Sequence, residues 1–497
     1  MTAPSTCTHQ NPIVGLLRRG VVLLTVASLA SSGMAQTGIQ NLPDLGEAAQ
    51  GAFSPRNERR IGESIMREIR RDPAYLDDPE ATAYIESLGR RLVAVSVESR
   101  GDFEFFLVRD PTINAFALPG GFVGVHTGLI LTSQAESELA GVMAHEVAHV
   151  TQRHIARIVD KQSQLTLPLI AGLIIAMLAA RSNSQLSQAA IATTQAGAIQ
   201  ASLNYTRDFE READRVGFQL LEQAGYDVNG MPAFFERLNR ARRLTEVNAP
   251  AYLRTHPLDL ERMADLQGRA TSTRYRQSPD SVDYLLVRAK LRAMQGSARD
   301  AINVFDLQLK EKRFASESAA RYGLAVAHTR ERDWRRASEE LALARKGRPS
   351  HWMFDTLEAS IKVGTGQGVA ARQVLERSRK EFGSLHPLTV AYVDLLQSLG
   401  QHKDVLPIAE ELARSRPRDA RAQAMLAKSY AGVGQQALQH RAQSEVYFLG
   451  GSVPAAIEQL QLARGAPDAD FYVQSAADSR IRELRAIAED EKKNPIR

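Results

Sequence analysis

Residues 142–154, VMAHEVAHVTQRH, place His145 and His149 four apart with Glu146 between them. On a helix, positions four apart lie about 40° out of line, so both imidazoles reach one point and Glu146 projects beside them. Two convergent imidazoles suit a divalent metal, and a neighbouring carboxylate can take a proton from water activated there. This is the H-E-x-x-H arrangement. A tetrahedral site needs a third protein ligand. One extension of the motif has glycine at 152 and histidine at 155, but Gln152 and Ile155 stand there. His154 lies five residues beyond His149, well off the shared face, and reads as a surface histidine.

The third ligand comes from a second charged segment. NYTRDFEREADRVGFQLLEQAGY, residues 204–226, reads as a helix ended by Gly225. Glu210 and Asp214 share one face, and the small Ala213 permits close helix approach. Glu210 can close the coordination sphere and leave the fourth position for water. Asp214 can accept a hydrogen bond from a ligand imidazole and fix its tautomer. His145-Glu146-Val147-Ala148-His149 followed by Glu210-Arg211-Glu212-Ala213-Asp214 resembles the M48 family of zinc metallopeptidases, over roughly residues 58–270.

The resemblance implies one zinc per chain, with Glu146 as general base. It also draws in RTHPLDLERM, residues 254–263, because family members hold a comparable histidine and arginine near the metal. His256 and Arg262 could stabilise the oxyanion of the tetrahedral intermediate. His256 could instead bind the zinc as a fourth ligand and shut the site.

These residues need elements to hold them. Ser133-x-x-Glu136 is a capping box, which starts a helix near 134, with Leu139, Val142, Met143, Val147 and Val150 as its apolar face. FEFFLV (103–108), NAFAL (114–118) and FVGVH (122–126) are strand-length runs, the last two joined by Pro119-Gly120-Gly121. Strand 122–126 could pair with an extended substrate. The expected fold is an α+β zincin-like metalloprotease domain, mostly helical with a small sheet.

From about 281 the chain turns to Ala-, Leu- and Arg-rich helices with repeats. Ala289, Ala301 and Phe305 recur as Ala325, Ala337 and Leu341, then as Ala359, Ala371 and Leu375. Ser444, Tyr447, Ala456, Leu460 and Ala463 fit the same frame, and Pro349 and Pro417 stand two periods of about 34 apart. Residues 281–480 therefore read as an all-α tetratricopeptide-like solenoid with its own stacking core, separable from the protease, and 481–497 as a charged tail.

Arg18-Arg19 precede the apolar run GVVLLTVASLA, and small Gly33 and Ala35 suit cleavage after Ala35. Residues 1–35 read as a secretory signal peptide and 36–57 as a flexible lead-in, so the mature chain is exported, and the resemblance implies that it resides in the periplasm. The only cysteine, Cys7, precedes the apolar run, which leaves the mature chain without disulfides or thiol ligands. Net charge of +5 is spread along the chain, which argues against nucleic acid as a partner.

LTLPLIAGLIIAMLAA (165–180) is uncharged but short for a membrane span, and reads as a lid or a peripheral membrane contact. With export and repeats added, the resemblance implies quality control of outer-membrane β-barrel proteins. Unfolded or misassembled forms would be the substrates, and the repeats would dock the assembly machinery. The alternatives are a chaperone or binding scaffold whose zinc site is mostly capped, and a membrane-associated M48 protease.

Overall fold

Helix α1 (Pro55–Arg71) begins three residues before the expected edge of the lead-in and buries Ile61, Ile65, Met66 and Ile69 at helical spacing. The computed structural model describes residues 54–97, 102–161, 207–244, 250–347 and 350–493. The expected signal peptide 1–35, the lead-in up to 53 and the apolar segment 165–180 lie outside the described residues.

Helix α2 (Pro79–Ala94) starts at Asp78, whose Oδ1 accepts from the amides of Glu80 and Ala81 at 3.1 and 2.9 Å, with Pro79 in the first turn. It lies against a three-stranded sheet of β1 (Glu104–Val108), β2 (Ala115–Leu118) and β3 (Phe122–His126). The order is β1-β3-β2, with β1 parallel and β2 antiparallel to β3. The β2–β3 turn uses Gly120 and Gly121 at φ 79° and 91°, which a side chain would oppose. This order corrects the reading of strand 122–126 as a pairing edge, because β3 is central and its backbone is engaged on both sides. The outer edge beside it belongs to β2.

Helices α3 (Thr127–Thr132), α4 (Glu136–Thr151) and α5 (His154–Lys161) follow, then α6 (Arg207–Gln223), α7 (Gly230–Leu244), α8 (Ala251–Thr255) and α9 (Leu260–Ser272). The expected capping box does not form. Ser133 ends α3, and its hydroxyl bonds Ile130 O and the Tyr284 hydroxyl at 2.8 and 2.9 Å. Helix α4 starts at Glu136 rather than 134. Its first amide donates to Asp280 Oδ1 at 2.7 Å, and the Glu136 carboxylate accepts from Ser281 N and Oγ, both at 2.8 Å, and from Tyr84 Oη at 3.1 Å. Partners distant in sequence thus take both halves of the local motif.

Six helix pairs follow among the described residues: α10 (Val282–Ala293) with α11 (Ala298–Lys310), α12 (Glu317–Arg330) with α13 (Trp334–Gly347), α14 (Trp352–Gly364) with α15 (Gly368–Phe382), α16 (His386–Ser398) with α17 (His402–Ser415), α18 (Ala420–Gly432) with α19 (Gln436–Leu449), and α20 (Val453–Gly465) with α21 (Phe471–Lys493). The repeat alanines Ala289, Ala301, Ala325, Ala337, Ala359 and Ala371 are buried, as are Phe305, Leu341 and Leu375. Tyr447 departs from the frame and stands exposed. The residues expected as a charged tail are largely helix: 481–493 complete α21, with Ile481 and Leu484 buried and Asp490 and Glu491 paired to Arg60 and Arg67 of α1.

One buried apolar cluster runs from Leu76 through Tyr284 to Met425. The boundary near 281 is a change of architecture rather than a break in the core. Lys290 of α10 reinforces it, its Nζ 2.7 Å from both Asp78 Oδ2 and Glu80 Oε2. Among the described residues, no helix is long and apolar enough to cross a membrane.

Candidate metal centre

Helix α4 is buried along most of its length and carries His145, Glu146 and His149 into the interior. Helix α6 lies unusually close. A Cβ on Gly217 would meet the Cα and N of His145 at 3.0 Å, so this spacing exists only because residue 217 has no side chain. Ala213, the small residue expected to permit close approach, is fully buried one turn before Gly217 on the same helix.

The approach sets Glu210 against the histidines. Nε2 of His145 and Nε2 of His149 are 2.9 Å apart, and Glu210 reaches them at 3.5 Å through Oε2 and Oε1 respectively. His256, the residue ending α8, places Nδ1 3.0 Å from Glu210 Oε1 and 3.4 Å from His145 Nε2. Four ligand atoms, from His145, His149, Glu210 and His256, lie within 4.8 Å of one another. Ligands about 2.0 Å from a tetrahedral zinc are spaced by about 3.3 Å, so the donor set fits that ion. Both Glu146 oxygens are buried and accept no hydrogen bond, with His256 Nε2 3.5 Å from Oε1.

The surrounding charges suit the same purpose. Burial raises the Glu210 carboxyl, but His256, His145 and His149 hold it well below the ordinary value, so it stays anionic. Burial pushes Glu146 up, against the pull of His256 and His145. The His149 imidazole is held well below its usual value by burial. For His145 burial lowers the value, yet Asp214 and Glu210 raise it to about 9.

Asp214 stands behind His145, Oδ1 3.0 Å from Nδ1. Arg262 holds Asp214 with two bonds, Nε to Oδ2 at 2.6 Å and Nη2 to Oδ1 at 2.8 Å. Its Nη1 lies 2.6 Å from Pro257 O and 2.7 Å from Glu210 Oε2. Arg262 is 2% exposed and its guanidinium is held by the Asp214 and Glu210 carboxylates and the Pro257 carbonyl, which argues against the expected place at a developing oxyanion. Burial raises the Asp214 carboxyl, but Arg262 and His145 bring it below the ordinary value.

His154 is not on the surface. Arg153 adopts φ 51°, which breaks the helix and starts α5 in a new direction, turning His154 inward. Its Nδ1 lies 2.8 Å from His149 Nδ1, Nε2 lies 3.2 Å from Glu212 Oε2, and the ring stacks on Phe209 at 4.6 Å. Helical periodicity carries no sign of such a break. Tyr252 was also missed. It is buried and stacked on His256 at 4.6 Å and 26°.

Residues 79–270 match the model of peptidase family M48. The β-barrel assembly-enhancing protease of Escherichia coli strain K12 is 31% identical over 482 residues, which cover 95% of this chain and 98% of that protein.

The chain belongs to peptidase family M48.

The Yersinia pestis β-barrel assembly-enhancing protease is 31% identical over 449 residues, 90% of this chain and 92% of its own. The mitochondrial metalloendopeptidase OMA1 of Schizosaccharomyces pombe shares 31% over 216 residues, 42% of this chain and 60% of that one. This third relative aligns over less than half of the chain, while the two bacterial proteases align through the repeats as well. The M48 chain is therefore a metallopeptidase, and the enzymes of its family are zinc-dependent.

Proposed function

We propose that this chain is a periplasmic zinc endopeptidase with a chaperone-like role, acting on unfolded or misassembled outer-membrane β-barrel proteins. The observation that carries the reading is the set of four buried donor atoms within 4.8 Å of one another, with the buried Glu146 carboxylate beside them. His145, His149 and Glu210 hold one zinc per chain. When bound, zinc supplies a Lewis acid that makes water a nucleophile near neutral pH and polarises the scissile carbonyl. Glu146 takes the proton from the attacking water and passes it to the leaving amine. Arg262 and Asp214 position His145 and Glu210.

His256 acts as a cap in the resting enzyme. Its spacing to His145 and Glu210 supports this over the oxyanion role, since the ring fills the position that water and substrate need. A capped site suits a protease exposed to every chain crossing its compartment. The client class and the docking of assembly machinery by the repeats are drawn from the full-length relatives named β-barrel assembly-enhancing proteases. Segment 165–180 is assigned the role of lid or peripheral membrane contact from its composition. Glu146→Gln tests the mechanism. It should keep zinc and fold while losing cleavage of an unfolded protein, and undiminished cleavage would remove Glu146 as the base.

A further inference from the structure

His154 lies behind the ligand His149 because the chain turns sharply at Arg153. The Arg153 amide still closes α4, donating to Val150 O at 3.0 Å, while its carbonyl accepts the Arg157 amide at 3.0 Å and so begins α5. One residue joins the two helices, and it does so at φ 51°. That left-handed conformation suits glycine and is disfavoured by an arginine, so the surroundings must hold it.

The arginine side chain meets its holder 95 residues away. Nε donates to Glu58 Oε1 at 2.9 Å, and Nη2 donates to the same oxygen. Glu58 stands in the first turn of α1, a helix docked firmly on the sheet. Arg59 Nη1 donates to Asp102 O and Gly120 O at 2.9 and 2.8 Å, and Ile61, Ile65, Met66 and Ile69 are buried. The carboxylate is therefore presented from a fixed support. Its side chain is 12% exposed, so water screens the pair only in part.

Beyond the turn, contacts run straight to the metal centre. A neutral His149 that offers Nε2 to the metal carries its proton on Nδ1, which lies 2.8 Å from His154 Nδ1. His154 then accepts at Nδ1 and donates from Nε2 to Glu212 Oε2 at 3.2 Å. Glu212 also accepts from Arg157 Nη1 at 2.8 Å, and the Arg157 guanidinium lies 4.5 Å over the Phe209 ring on which His154 stacks. Both His154 and Arg157 reach these partners from α5, whose direction the turn sets.

We propose that Glu58 is a positioning residue for the zinc: by pairing with Arg153 it holds the turn that seats His154 behind His149. The inference rests on the metal centre proposed above and adds a remote support for it. Without the carboxylate, Arg153 relaxes toward a helical φ and α5 swings out of line. His154 then leaves His149 Nδ1, and the ligand ring loses the acceptor that fixes its tautomer and orientation. Helix α1 thus tunes the metal without touching it.

The test is zinc affinity of the full-length protein, measured by chelator competition. Glu58→Gln should bind zinc about 5-fold more weakly, less than the loss expected for a direct partner of a ligand. Arg153→Gly should stay within about 2-fold of the unsubstituted chain, because glycine holds a positive φ unaided. The two together should match Arg153→Gly alone, and Glu58→Gln added to His154→Phe should cost nothing further. A role elsewhere in α1 predicts the same loss from Glu58→Gln in all three backgrounds, and that result would overturn the proposal. Unchanged affinity in Glu58→Gln would do the same, as would an Arg153→Gly protein as weak as Glu58→Gln. An unsubstituted chain that binds no zinc would overturn the metal centre and its support together, whereas tight zinc with additive losses overturns the support alone.

Discussion

Asp280, just before the first repeat helix, accepts the backbone amide of Glu136, the first residue of the helix that carries His145, Glu146 and His149, at 2.7 Å. The N-terminus of that helix is therefore closed from the repeat side. Asp280→Ala should cost about 1 kcal/mol, the worth of a helix cap, read as a lower melting temperature with zinc retained.

Deleting residues 281–497 is a harsher form of the same test. The sequence reading made the repeats separable, but Ser281 and Tyr284 bond Glu136 and Ser133, and the apolar core continues across them. The truncated protein should aggregate or lose zinc. A monodisperse, zinc-loaded fragment on gel filtration would restore the separable reading.

His256→Ala should raise cleavage of a short unstructured peptide without reducing zinc content, because three ligands remain. A fall of about 100-fold with zinc still bound would return His256 to the oxyanion role.

His154→Phe keeps a ring against Phe209 but loses the contact with His149 Nδ1. Removing such support behind a ligand should weaken zinc binding about 10- to 100-fold, measured by chelator competition. Unchanged affinity would make His154 a packing residue.

Lys290→Met should destabilise the chain by about 3 kcal/mol, since it leaves Asp78 and Glu80 near-buried without their cation. Burial raises Asp78, but Lys290 and the helix amides bring it below its ordinary value, while Asp78 and Glu80 raise Lys290 to about 12 against burial. A depressed carboxyl contributes stability above its unfolded value and loses it as pH falls through the folded one. A raised ammonium contributes below its unfolded value and loses it as pH rises toward 12. The deficit of the variant should thus be flat between about pH 5 and 9 and shrink below about pH 4, by denaturant titration at each pH.

His145, Glu146, His149, Glu210 and Asp214 were legible in the sequence because helical spacing is local: two pairs four apart define two faces, whatever surrounds them. The repeat alanines were legible for the same reason, since close helix packing needs small residues at fixed intervals. Contacts between distant segments decided the rest. Ser133 and Glu136 match a local capping pattern, yet Tyr284 and Ser281 claim them, 151 and 145 residues away. Pairing order made β3 the central strand and β2 an outer one, although both strands have similar composition. One positive φ at Arg153 turned His154 from solvent to the back of a ligand. Spacing along one helix carries its own geometry, whereas sheet order, burial and the partner of a charge depend on where remote parts of the chain come to rest.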